Sequence, residues 1–231
     1  MFFSCCQKKL PSVTKKAVMA VSGFFLLGFV VAHLGGNLCI FGGPDLLNSY
    51  AQHLEDWAPL LWVARVILLV LVALHITTAV QLTLENRRAR PVPYHKKDNT
   101  RTTYAARTMA MSGVIVLVYI VYHLLHFTFR VTHPDISHGI DAHGHRDVYS
   151  MVVLSFRDPL VAAFYIFAMA LLSMHLSHGM KSLFQSLGLN NEKLEPKLAA
   201  AARALALLIF IGYSAIPFSV LLGLVKPAGG L

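Results

Sequence analysis

Apolar residues in this chain are gathered into five long blocks separated by polar segments. At about 1.5 Å per residue in a helix, each block is long enough to cross about 30 Å of hydrocarbon. Lipid offers no partner for an unpaired peptide group, so each block is predicted to be one continuous helix. The predicted spans are residues 17–41, 58–84, 106–129, 160–183 and 199–225. The pattern therefore predicts an all-α integral membrane protein in which residues 1–231 form a single membrane domain.

Lysine and arginine residues concentrate in every second polar segment. The segments before the first span, between the second and third spans, and between the fourth and fifth spans hold fifteen of them: Lys8, Lys9, Lys15, Lys16, Arg87, Arg88, Arg90, Lys96, Lys97, Arg101, Arg107, Lys181, Lys193, Lys197 and Arg203. The other segments hold Arg130, Arg146, Arg157 and Lys226, and Arg65 lies inside the second span. Because basic loops face the cytoplasm, the pattern predicts a cytoplasmic N-terminus and an external C-terminus.

The composition agrees with a membrane location. Hydrophobic residues make up 56% of the chain and charged residues 13%, whereas about a quarter of the residues in a soluble domain are charged. The net charge of +9 follows the alternation of the loops, so it marks orientation and a docking face and not a nucleic-acid surface. The first span is longer than the apolar core of a signal peptide, and we expect it to be retained.

One histidine lies deep inside each of the first four spans, and the fifth span has none. These are His33, His75, His123 and His175. Each lies about sixteen residues after the start of its span, or about 24 Å along the helix. Since successive helices enter from opposite sides, His33 and His123 share a level near the outer face, and the other two share a level nearer the cytoplasm. Two pairs at two depths suit two stacked haems, because each haem iron takes one imidazole from each side.

Other readings of these histidines stay open at this point. A single membrane histidine is more often an interhelical hydrogen-bonding residue than a ligand, so the haem interpretation depends on four of them at matched depths. His126 lies about one turn after His123, and His178 about one turn after His175, so helical periodicity does not choose within either couple.

A repeated dipeptide supports the pairing. Nine residues separate Ser22-Gly23, and likewise Ser112-Gly113, from the histidine of the same span. The two glycines therefore lie about 15 Å from those histidines, near the depth of the other pair. A residue without a side chain lets the helix backbone approach a flat ring closely. We expect Gly23 and Gly113 to be points of close approach to a haem.

The segments between the spans carry weaker signals. His53-Leu54-Glu55-Asp56-Trp57 precedes the second span on the predicted outer side. It reads either as an interfacial loop with a tryptophan anchor or as a quinone pocket in which a carboxylate or the histidine takes up protons released by quinol. Residues 130–159 form the longest predicted loop, and residues 190–197 a polar turn. The remaining polar candidates are His95, His133, His138, His143 and His145, read as solvated loop residues, and Cys5, Cys6 and Cys39, which lack metal-ligand spacing.

Three segments closely resemble the di-haem cytochrome b subunit of the succinate dehydrogenase/fumarate reductase family, a single polypeptide with five membrane helices. They are SGFFLLGFVVAH, SGVIVLVYIVYH and HLSHGMKSLF, which begin at Ser22, Ser112 and His175, and the resemblance covers nearly the whole chain. It implies two haems b as cofactors. It also implies that the chain is the quinone-reacting electron-transfer subunit of the enzyme complex.

The resemblance also implies roles for individual residues. His33 and His123 would hold the distal haem, and His75 and His175 the proximal haem. The family's fourth ligand stands four residues before a glycine, so Gly179 selects His175 over His178, and alignment from Gly113 selects His123 over His126. Glu55 falls where similar proteins place an acidic residue at the quinone site. Arg157, in the familial segment SFR, would neutralise a haem propionate.

The partners follow from the same resemblance. A flavoprotein subunit with FAD and the dicarboxylate site, and an iron–sulfur subunit, would dock on the cytoplasmic face of a bacterial inner membrane. Electrons would pass through the proximal and distal haems to a quinone, expected to be menaquinone, or in reverse for fumarate reduction. This chain itself has no recognisable succinate-binding or flavin-binding motif.

The chain departs from the family at one position, and two other classes of function stay open. Members that carry protons across the membrane have a glutamate two residues before the fourth ligand, where this chain has Ser173. A cytochrome b of a hydrogenase, nitrate reductase or formate dehydrogenase is disfavoured by one histidine in each of four successive helices. A non-haem transporter with a histidine relay is the other alternative. A haem assay separates such a transporter from a cytochrome b.

Overall fold

The computed structural model describes residues 10–89 and 104–228, and these residues form helices joined by connections, of which residues 129–147 are the longest described. Five helices are long and apolar enough to cross a membrane, which confirms the predicted five-span all-α fold. Four of them are α1 (Ser12–Leu38), α3 (Ala58–Arg88), α7 (Pro159–Ser186) and α8 (Glu195–Leu221). The fifth is α5 (Met109–His123) together with the π-helical turn Leu124–Thr128 that continues it. The shorter helices are α2 (Pro44–Asp56), α4 (Tyr104–Arg107) and α6 (Val148–Phe156). The predictions for Cys5, Cys6, Lys8, Lys9, Arg90, His95, Lys96, Lys97 and Arg101 lie outside the described residues.

The ends of the first and last spans differ from those that hydropathy predicted. Helix α1 begins at Ser12, before the predicted start at residue 17. Lys15 and its polar neighbours lower the local hydropathy, but they do not end the helix. Helix α8 begins at Glu195, inside the predicted polar turn, and ends at Leu221. An acidic residue and Pro196 in the first turn both favour a helix start there. After the helix ends, Gly223 takes a positive φ of 69°, which favours glycine.

Helices α2 and α6 were not predicted, and they lie against each other at one end of the bundle. Asn48 of α2 accepts a hydrogen bond from the backbone N–H of Tyr149 (2.9 Å) and donates to Asp147 (3.1 Å), which caps α6. The segment around Glu55 is the last turn of α2. It is helical where one of its two interpretations has a loop, and its interfacial position stays a prediction. Both helices are shorter than a span, so a search for span-length apolar blocks passes over them. We call this end of the bundle the α2–α6 end.

The five long helices pack around α1 and α7. Helix α1 contacts α3, α7 and α8, and α7 contacts α5 and α8. Gly23 of α1 lies against His75 of α3, and Lys15 of α1 forms an ion pair with Glu85 of α3. We call the end that holds this ion pair the Lys15–Glu85 end.

The buried core lies in two clusters, one at each end of the bundle. The cluster at the α2–α6 end contains Ile40, Leu47, Tyr149, Val153, Phe156, Ala162, Tyr165, Ile216, Val220 and Val225, and the smaller cluster contains Met180, Ala202 and Ala206. The first cluster joins α2 and α6 to the long helices, so the two short helices are part of the folded bundle.

Candidate functional site

The four span histidines lie in two pairs inside the bundle. The ring centres of His33 on α1 and His123 on α5 are 6.0 Å apart. Those of His75 on α3 and His175 on α7 are 6.5 Å apart. The structure thus brings together the residues that the sequence assigned to common depths, and each pair joins two helices that are not consecutive spans.

The separations within the pairs fit a haem iron held between two imidazoles. An iron that binds one ring nitrogen on each face at about 2 Å would hold the two ring centres about 6 Å apart. Both observed separations are close to this value. Two imidazoles are also the number of axial ligands that a six-coordinate haem takes from the protein.

One nitrogen of each ring in the His75–His175 pair is hydrogen-bonded to the protein. Nδ1 of His75 lies 3.1 Å from the carbonyl oxygen of Met19 and 3.4 Å from Oγ of Ser22. Nδ1 of His175 lies 3.2 Å from Oγ of Ser112. A carbonyl oxygen only accepts, so Nδ1 of His75 carries the proton. The other nitrogen, Nε2, then keeps its lone pair and is the atom suited to bind a metal.

The two serines that meet these rings belong to the Ser-Gly repeat. The hydroxyl of Ser22 donates to the carbonyl of Val18 (2.7 Å), and that of Ser112 donates to the carbonyl of Met109 (3.0 Å). With its proton used in this way, each Oγ offers a lone pair to a histidine N–H. The repeat is visible in the sequence, but this role of the serines was not predicted from it. Its only signal was the position of each serine beside its glycine.

The glycines of the repeat lie directly against the rings of the same pair. A Cβ atom added to Gly23 would lie 3.1 Å from Cε1 of His75, and one added to Gly113 would lie 3.4 Å from Cε1 of His175. The absence of a side chain therefore gives each imidazole its room. The glycines have the depth that the sequence predicted, and their approach to a cofactor ring stays a prediction.

Aromatic rings surround the His33–His123 pair. Phe29 stacks on His33 with ring centres 5.2 Å apart and planes inclined by 15°. Tyr119 and Phe127 lie 5.7 and 5.5 Å from the ring centre of His123. Nδ1 of His123 is buried and has no hydrogen-bond partner among the described residues. Aromatic rings thus line this pair where serine hydroxyls contact the other pair.

His126, the alternative to His123, has both ring nitrogens engaged by the protein. It is fully buried in the π-helical turn Leu124–Thr128 that follows α5. Its Nδ1 lies 3.0 Å from the hydroxyl of Tyr165, and its Nε2 lies 3.0 Å from Oγ of Ser155. These contacts leave no ring nitrogen for an iron, which favours His123 as the ligand. In the other couple, His175 is the residue whose ring faces His75.

Glu55 lies in the last turn of α2 and forms an ion pair with a residue that the sequence did not connect to it. Its Oε1 is 2.6 Å from Nη1 of Arg146, in the loop before α6, and both side chains are about one-third exposed. The same loop approaches the start of α2, where Nε2 of His143 lies 3.9 Å from Asp45. The carboxylate predicted to take up protons is thus held by an arginine 91 residues away in the chain.

The loop that carries Arg146 is ordered by a neighbouring carboxylate. The backbone N–H groups of His143 and His145 donate to Oδ1 of Asp141 over 2.9 and 2.8 Å. Desolvation raises the pKa of Asp141, but these two N–H groups, the charge of His145 and a hydrogen bond from Asn48 together lower it by more, so the pKa lies below its usual value. Among the described residues, no three His, Cys, Asp or Glu side chains form a group suited to a metal ion.

The two remaining residues that the sequence singled out lie on α6 and α7. Arg157 is exposed and forms the C-terminal cap of α6. Ser173 on α7 donates a hydrogen bond over 2.9 Å to the carbonyl of Ala206 on α8. A serine at this position therefore joins two helices of the bundle.

Comparison with known proteins identifies the family. Residues 84–213, more than half of the chain, match the family described as "Succinate dehydrogenase/Fumarate reductase transmembrane subunit". The matched region contains His123 and His175 and begins after His33, Glu55 and His75. No curated protein and no solved structure gives a significant match. The family match and the five membrane helices agree, and this chain belongs to the succinate dehydrogenase/fumarate reductase transmembrane subunit family.

Proposed function

We propose that this subunit holds two haems b and transfers electrons between an iron–sulfur subunit and a quinone. His75 and His175 would be the axial ligands of the proximal haem, and His33 and His123 those of the distal haem. The observation that carries the proposal is the pair of ring separations, 6.5 and 6.0 Å, each the distance that a bis-imidazole iron requires. Each haem, when bound, supplies a one-electron carrier inside the membrane.

The protein's own part at the proximal site is to orient two imidazoles. Ser22 and Met19 fix the Nδ1 proton of His75, and Ser112 fixes that of His175. A hydrogen bond at Nδ1 determines the tautomer and strengthens Nε2 as a ligand. At the distal site, the stacking of Phe29 on His33 limits the rotation of the ring.

The quinone site is proposed at the α2–α6 end, beside Glu55. Oxidation of a quinol releases two protons with its two electrons, and a positioned carboxylate is suited to accept a proton. Arg146 fixes the orientation of the Glu55 carboxylate at this end of the bundle. Menaquinone is the quinone that the resemblance implies.

The hydrophilic subunits are proposed to dock at the Lys15–Glu85 end. The basic residues near this end, on α1, α3, α7, α8 and the turn between α7 and α8, are Lys15, Lys16, Arg87, Arg88, Lys181, Lys193, Lys197 and Arg203. A cytoplasmic face for this end follows the distribution of basic residues. The iron–sulfur subunit would then be close to the His75–His175 pair and far from Glu55.

A pyridine haemochrome assay on the purified protein tests the proposal directly. We expect two haems b per chain, with the absorption and electron paramagnetic resonance spectra of six-coordinate, low-spin iron. A folded, membrane-extracted protein that contains no haem when purified from cells able to make it would overturn the proposal. Such a result would favour a histidine-relay transporter.

A further inference from the structure

Arg65 is a positive charge inside a membrane-spanning helix. It lies on α3, seven residues after Ala58, on an exposed face of that helix. Its guanidinium group lies 5.1 Å from the ring centre of Trp62, one turn earlier. No carboxylate among the described residues lies within ion-pair distance of it. An arginine at membrane depth usually pairs with an anion or another polar group, or faces a water-filled cavity.

The packing of α1 against α3 shows the depth of Arg65. Gly23 of α1 contacts His75 of α3, and the ion pair of Lys15 with Glu85 shows that the two helices run antiparallel beside each other. From that contact, His33 is ten residues further along α1, and Arg65 is ten residues back along α3. Both steps move about 15 Å toward the α2–α6 end. Arg65 therefore lies at the level of His33.

We propose that Arg65 binds a carboxylate of the haem held between His33 and His123. The inference rests on the proposed function, since a haem b at this level brings two propionate carboxylates. A guanidinium group is suited to such a partner because it donates two parallel N–H bonds to one carboxylate. A lipid phosphate is the other anion near this depth. Tryptophan is typical of the membrane interface, where lipid phosphates lie. Arg65 lies one turn deeper than Trp62 and level with His33, so a haem carboxylate is favoured over a lipid phosphate.

Redox titration of the assembled complex tests this assignment. The distal haem is first identified as the transition that His33→Ala removes. In Arg65→Gln, we expect the ratio of reduced to oxidised distal haem at a fixed potential to fall about tenfold, a shift of 59 mV for one electron. The uncompensated carboxylate stabilises the ferric state, so the potential falls. Arg65→Lys keeps the charge and should stay close to wild type.

Two controls separate a local charge effect from a general disturbance. Lys226→Gln removes an exposed positive charge from the segment after α8 and should leave the distal potential unchanged. With haem labelled with ¹³C in its carboxylates, the redox difference infrared spectrum of wild type should contain a carboxylate band that shifts in Arg65→Gln. A band that does not move overturns the contact.

The remaining outcomes also decide the assignment. Unchanged potentials with full haem content would overturn it, and a loss of bound phospholipid in the same variant would assign Arg65 to a lipid phosphate. If Arg65→Gln loses the distal haem, retention of that haem in Arg65→Lys supports the assignment, and its loss in both variants overturns it. A wild-type protein without two haems would instead overturn the proposed function, and this is seen before any variant is made.

Discussion

Glu55 and Arg146 form an ion pair, with Oε1 2.6 Å from Nη1, that ties the last turn of α2 to the loop before α6. The pair fixes the direction of the one carboxylate that we propose as the acid–base group for quinone. Because both side chains are about one-third exposed, the pair itself should contribute only about 0.2–1 kcal/mol to stability. Its importance would then lie in orientation.

Replacing Glu55 by Gln should impair quinone chemistry alone. Gln keeps the shape of the side chain but cannot take up a proton, and a positioned acid–base group contributes roughly 10²–10⁴ in rate. Quinone-linked turnover should therefore fall by about that factor. Haem content, and succinate oxidation with an artificial acceptor that bypasses quinone, should stay at wild-type values.

Asp56→Asn is the matched control for Glu55→Gln. Asp56 is the next residue, and its carboxylate accepts a hydrogen bond from Gln52 within the same helix. We expect this variant to keep normal quinone turnover. Normal turnover in Glu55→Gln itself would show that the carboxylate has no acid–base role. Loss of haem in Glu55→Gln would show that the residue is structural.

The regular parts of this protein could be predicted from sequence because a helix has a constant rise. The depth of each histidine followed from its distance along a span, and the structure brings His33 to His123 and His75 to His175. Hydropathy also located the five spans, although it misplaced the ends where polar residues continue a helix, as at Lys15.

Contacts between distant parts of the chain could not be predicted in this way. The pairing of Glu55 with Arg146 depends on the path of an irregular loop and on the position of α2, a helix too short to register as a span. The engagement of His126 by Ser155 and Tyr165 likewise joins three separate elements. Periodicity left His123 and His126 equivalent, and only the resemblance separated them before the structure was known.

Histidine substitutions should divide into two classes. His75→Ala or His175→Ala should remove the proximal haem, and His33→Ala or His123→Ala the distal one, as measured by haem content and by the loss of one step in a redox titration. The removal of one axial ligand leaves the iron five-coordinate and weakly held.

His126→Ala is the informative control for His123→Ala. It leaves the hydroxyls of Tyr165 and Ser155 without their buried partner, so unfolding should become easier by about 1–3 kcal/mol, while both haems are retained. Loss of a haem in His126→Ala together with its retention in His123→Ala would reverse the ligand assignment. The same comparison of His178→Ala with His175→Ala tests the choice of His175 as the ligand of the proximal haem.

A topology measurement tests the orientation on which the docking face depends. A reporter fused after Leu231 should be active only if it functions outside the cytoplasm, and one inserted beside Lys97 only if it functions inside. The reason is the excess of Lys and Arg in alternate loops. A cytoplasmic C-terminus would move the docking face to the α2–α6 end.

The serines of the Ser-Gly repeat should have unequal effects on the proximal haem. Ser112 is the observed partner of His175 Nδ1, whereas His75 Nδ1 keeps the carbonyl of Met19 when Ser22 is removed. An acceptor at Nδ1 makes the imidazole a stronger donor to iron and favours the ferric state. Ser112→Ala should therefore raise the proximal midpoint potential by a few tens of millivolts, and Ser22→Ala by less. Equal shifts would argue against the Met19 contact.

The two glycines of the repeat should also differ when each is replaced by alanine. A Cβ atom at position 23 would lie 3.1 Å from Cε1 of His75, closer than ordinary van der Waals contact, whereas one at position 113 would lie 3.4 Å from Cε1 of His175. In Gly23→Ala the imidazole of His75 must shift by a few tenths of an ångström. Because the orientation of the ligand sets the electronic state of the iron, the low-spin electron paramagnetic resonance signal of the proximal haem should move. Gly113→Ala should leave that signal close to wild type. The distal signal should stay unchanged in both variants, and a change confined to the distal signal would place the two glycines beside the other pair.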